Sequence, residues 1–162
     1  MTQSNNIVNY IRSGSIGGVS GVKGGALAGA IGGTVIMTIN NIGTAGPGFV
    51  VYSMIFGATT GMMAGALISY FWGFLAGIIS EAVAVTETTR ILPFVWYSGF
   101  LVIAALLGIV IYPDLRFMGA MAGLLLGLGA GWVALRDFIR MTEYQTKADE
   151  DSEEIDRTVA ER

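Results

Sequence analysis

The sequence predicts an all-α integral membrane protein: an antiparallel bundle of four transmembrane helices packed through glycine zippers, with a short polar N-terminal arm and an acidic C-terminal tail. Three observations carry that expectation. Only 13% of the 162 residues are charged, against about a quarter in soluble domains, and the mean hydropathy is +0.64. No charged residue occurs between Lys23 and Glu81, an interval with room for two crossings of about 20 apolar residues each. Glycine then recurs at every fourth position inside three apolar stretches. The rows are Gly17, Gly21, Gly25, Gly29, Gly33; then Gly57, Gly61, Gly65, with Ser69 in register, Gly73 and Gly77; and last Gly119, Gly123, Gly127 and Gly131.

Glycine inside a water-exposed helix costs about 1 kcal/mol against alanine. In lipid the same residue lets a second backbone approach closely, so small residues at this spacing mark helix–helix interfaces. A four-residue step overshoots the 3.6-residue turn by about 40°, so each row drifts around its helix. The three rows also share a cassette: GALAGAI from Gly25, GMMAGAL from Gly61 and GAMAGLL from Gly119.

Taken in order, residues 1–14 read as a polar arm, or as an interfacial segment through Ile7, Val8, Tyr10 and Ile11. Residues 15–140 form the membrane domain, with spans at 17–39, 49–80, 92–112 and 117–138. Lys23, one turn inside the first span, reads as a lysine snorkelling to the interface. Asn40, Asn41, Gly43, Gly46 and Pro47 supply turn chemistry after it. The second apolar run, at about 48 Å as one helix, exceeds a hydrocarbon core near 30 Å. Its aromatic cluster Tyr70, Phe71, Trp72 and Phe74 marks an interface, and the projecting end is expected to be covered by a partner. Pro93 suits the first turn of the third span. That span is bulky, with only Ala104 and Gly108 as a small pair, and is expected to face lipid over more of its circumference. Residues 141–162 form the tail, where Asp149, Glu150, Asp151, Glu153, Glu154, Asp156 and Glu161 crowd together.

The basic residues fall on alternate sides of the four spans: Arg12, Lys23, Arg90, Arg136, Arg140 and Lys147 on one, Arg116 on the other. The positive-inside rule then puts both termini on the cytoplasmic side or its equivalent. The N-terminus lacks the features of a cleaved secretory signal, so the first span is expected to serve as its own insertion signal. The termini-side aromatics are Trp96, Tyr97, Trp132 and Phe138.

With no cysteine and no histidine, the chain lacks thiolate chemistry and the commonest metal ligand and acid–base group. It has no nucleophile–base pair, and the glycine-rich GVSGVKGGALAGAIGG has no Gly-Lys-Ser/Thr step. The expectation is therefore a protein that is not an enzyme, with no catalytic residue, no metal site, no cofactor and no nucleic-acid partner. A groove of glycine leaves room for a bound lipid or a flat pigment.

Three functions fit. The leading one is a structural or assembly subunit of a homo-oligomer or larger membrane complex. Three glycine rows exceed the small-residue surface four helices need, so one row is expected to face another subunit. The second is a small channel or transporter with a narrow polar seam at Thr59 and Thr60. In topology the four-span plan is similar to the mitochondrial inner-membrane preprotein translocase channel family, whose glycine-flanked arginine and aspartate between the second and third spans are not reproduced here; Arg90 alone falls in that interval. The third is a lipid- or pigment-organising membrane protein.

Overall fold

The computed structural model describes residues 2–43, 46–84, 92–111 and 116–160. It contains four α-helices: α1 Thr2–Asn41, α2 Pro47–Ala84, α3 Leu92–Ile111 and α4 Arg116–Ala160. All four include stretches long and apolar enough to cross a membrane, as an integral multi-pass protein requires. Their outer surface carries large apolar side chains such as Ile55, Met63, Leu67 and Phe71, all exposed. Lipid accepts such a surface, whereas water would not.

The helix ends follow local chemistry. Gly43 takes a φ of 85° just after α1, the left-handed conformation that lets a helix stop. Pro47 opens α2, and the carbonyl of Gly46 accepts the amides of Phe49 and Val50 at 3.0 and 3.2 Å, so the proline sits where no amide is needed. Pro93 occupies the first turn of α3. The connection holding Glu87 and Arg90, and the Tyr112–Asp114 turn, lie outside the described residues.

Two boundaries differ from the sequence reading. Residues 2–14 are helical and continuous with the first span, and the backbone of α4 continues past residue 140 to Ala160. Ala148, Glu150, Glu153 and Glu154 are good helix formers, which carries α4 beyond its apolar part.

Each glycine row meets backbone of this same chain. A Cβ added at Gly17, Gly21, Gly25, Gly29 or Gly33 would fall on the carbonyl oxygen of Gly73, Ser69, Gly65, Gly61 or Gly57 respectively. Each step of four up α1 is thus a step of four down α2. The relation is reciprocal, because a Cβ on Gly57, Gly61, Gly65 or Gly73 meets the carbonyl of its opposite glycine, and one on Gly77 meets that of Ser13. Such carbonyls lie in the direction of Cα hydrogens, the arrangement of weak Cα–H···O contacts. The over-long end of α2 is therefore covered by the first half of α1. Gly14 lies against Phe74 and Ile78, and the Ser13 hydroxyl donates to Glu81 at 2.7 Å.

The third row faces α3. A Cβ on Gly108 would meet the Gly119 carbonyl, one on Gly123 that of Ala104, and one on Gly127 that of Phe100. Gly131 lies beside Tyr97. The small pair of α3, Ala104 and Gly108, is enough to seat α4 closely. Members of all three rows thus have neighbours within the chain.

The α1–α2 and α3–α4 pairs join chiefly toward the termini. Gly24 packs on Ala130 and Ala134. Lys23 Nζ pairs with Asp137 Oδ1 at 2.7 Å, and the Ser20 hydroxyl donates to Asp137 Oδ2 at 3.2 Å. Lys23 therefore has an in-chain partner. The core is built around Trp96, which is 0% exposed, with Phe100, Ala130, Ala134 and Phe138. Trp96, one of the termini-side aromatics, has its ring N–H satisfied internally, donating to the Ser80 hydroxyl at 3.2 Å. Trp72 packs against Gly99 and its ring N–H donates to the carbonyl of Trp96 at 3.4 Å, completing the α2–α3 contact.

Candidate functional site

On the other side of this core the two helix pairs separate and leave a cleft of about 480 Å³. That lies within the roughly 300–1,000 Å³ of small-molecule sites. Residues Phe100 and Ala130 belong both to the core and to the cleft lining, so they form its floor. From there the cleft runs toward Ile36 of α1 and Ile111 of α3, with Ile68, Leu107 and Leu126 along its sides. Glycines and alanines make the rest of the walls. Ala28, Ala64, Ala104 and Ala122 line it, together with the edges of the glycine rows at Gly29, Gly61 and Gly123. Small side chains pack helices closely inside each pair and leave volume where the pairs diverge.

The chemistry of the lining is uniform. Among the described residues no acidic or basic side chain borders the cleft, and Ser69 is the one lining side chain with a polar atom. A buried water needs two to four polar partners; one hydroxyl cannot supply them. Hydrocarbon is the filling such a cleft favours. Among the described residues no group of three or more acidic side chains is placed to hold a metal.

Of the residues singled out from sequence, the glycines come together in two opposed sets, as described above. Thr59 and Thr60 do not form a seam. Both lie on the exposed face of α2, and each hydroxyl donates to its own helix one turn back, to Ile55 and Phe56 at 2.8 Å. That is the usual resolution for a hydroxyl on a lipid-facing helix. Gly129, by contrast, has nothing within 4 Å of an added Cβ. Sequence reasoning missed the cleft residues Ile68, Leu107 and Leu126, which look like any other lipid-facing aliphatics; only the divergence of the helix pairs distinguishes them. Gly99 was missed too, being a single glycine outside any row. The chain matches no protein-family model, no curated protein and no solved structure.

Proposed function

We propose that this chain is a non-enzymatic membrane protein that holds a lipid in the cleft between two antiparallel, glycine-zippered helix hairpins. The observation that carries the reading is the cleft itself: about 480 Å³ of space at the depth of the four spans, with one hydroxyl and no charge among its described lining residues. The opposed order of the α1–α2 and α3–α4 glycine contacts supports the zippered, antiparallel plan. In this reading the lipid chain acts as a further packing element between α2 and α3, so the protein organises lipid and is itself organised by it. Both termini lie on the cytoplasmic side, as the basic residues flanking the spans favour.

An assembly role rests on a different occupant of the same space, a helix of a second copy or of another subunit. A polar conduit is not favoured, because Thr59 and Thr60 face outward and the cleft is apolar.

Native mass spectrometry of protein extracted from membranes tests the reading. The wild type is expected to retain a lipid at fixed stoichiometry. The double variant Ala64→Phe, Ala122→Phe fills the cleft from two walls and should lose that lipid with helix content unchanged. Equal retention in the variant overturns the proposal. A wild-type dimer without lipid, made monomeric by the same substitutions, overturns it in favour of assembly.

A further inference from the structure

Ser69 is in register with the second glycine row, lines the cleft, and is 7% exposed. Its hydroxyl has no hydrogen-bond partner among the described residues. Other membrane-depth hydroxyls of this chain bond back one turn: Thr34 to Ala30 at 2.8 Å, Thr38 to Thr34 at 2.7 Å and Ser80 to Ala76 at 2.6 Å. Ser69 instead holds its Oγ against Gly25, where the missing side chain leaves space. A buried hydroxyl without an acceptor is costly, and most are satisfied. Ser53 is also buried and also lacks a partner among the described residues, but it does not border the cleft.

The position of Ser69 says which end of a ligand it meets. Gly25, which its Oγ touches, is two residues from Lys23, and Lys23 is paired with Asp137 where α4 turns polar. Ser69 therefore sits at the terminal end of the cleft, near the level of the charged groups, and the aliphatic walls extend away from it toward Ile36 and Ile111. With Lys23 paired to Asp137 and no charged side chain among the described lining residues, the group of the ligand that meets Ser69 is neutral. A hydroxyl whose hydrogen has no acceptor in the protein donates well to a carbonyl oxygen.

Resting on the cleft reading above, we infer that Ser69 donates a hydrogen bond to a neutral carbonyl at the head of a hydrocarbon-tailed ligand, the tail lying along Leu107 and Leu126 toward the interhelical turns. A quinone ring and a fatty ester both carry that chemistry. Three probes with ten-carbon chains separate the cases: a decyl-substituted benzoquinone, methyl decanoate, and decylbenzene, which has no carbonyl. Binding to the purified full chain is followed by titration. At least one carbonyl probe binds roughly three- to ten-fold more tightly than decylbenzene, the range one net hydrogen bond gives. The probe that gains identifies the source. Ser69→Ala removes the advantage and leaves decylbenzene binding unchanged, while Ser53→Ala leaves both unchanged. A carbonyl preference that survives in S69A, or no preference in the wild type, overturns the inference while the cleft reading stands. Failure of all three probes to bind overturns the cleft reading and this inference with it.

Discussion

Gly29 and Gly129 are chemically the same and structurally opposite. An added Cβ at Gly29 would fall on the carbonyl of Gly61 and lie 3.2 Å from the Cα of Gly65, whereas at Gly129 it would meet nothing within 4 Å. Gly29→Ala must therefore push two backbones apart, and an overpacking cost of about 1–3 kcal/mol is expected. Gly129→Ala is expected to be neutral or to stabilise by up to about 1 kcal/mol, since it only improves helix propensity. Unfolding titrations in mixed micelles measure both. Reading LGLGAGW as one packing surface overlooks that contrast: Gly129 is two positions out of register with Gly127 and Gly131, so it points away from the row. The burial of Trp96 was not legible. A lone tryptophan near a span end resembles an interfacial anchor, and only the fold places the Ser80 hydroxyl opposite its ring N–H.

At the level of elements, the four helices and their order were written in the hydropathy and turn residues, from Gly43 and Pro47 through Pro93. Their pairing was not. Glycine rows are self-similar, so a row specifies that a backbone approaches but not whose, and the small pair Ala104–Gly108 gave too faint a signal to mark α3 as the partner of α4. The excess length of α2 was legible, while its covering by α1 was not, because the polar residues before Gly14 disguise a helix that runs on. The α2–α3 contact rests on few groups, chiefly Trp96 on Ser80 and Trp72 on Gly99. Trp96→Ala should thus cost about 3–5 kcal/mol, as for a large core aromatic, with Trp96→Phe retaining much of the packing; both are read by the same titration. Asp137→Asn should cost about 1 kcal/mol or less, because the side chain of its partner Lys23 is 49% exposed and such pairs are weak. The loss should shrink further in high salt.

Across the whole molecule, the glycine rows meet neighbours within the chain, and beside them lies an apolar cleft. Two closely packed pairs joined toward the termini border an apolar cleft, a feature that no linear pattern contains because its walls come from residues far apart in the sequence. Its lining residues come from all four helices. Photoaffinity mapping in membranes containing a phospholipid with a diazirine at mid-chain tests the account most directly. Outward residues such as Ile55, Met63 and Val110 are labelled in any case, since they face the bilayer. The account predicts additional adducts on Ile68, Ile103 and Leu126, within the cleft, and their loss in the Ala64→Phe, Ala122→Phe variant. Labelling confined to the outward residues in the wild type would contradict it.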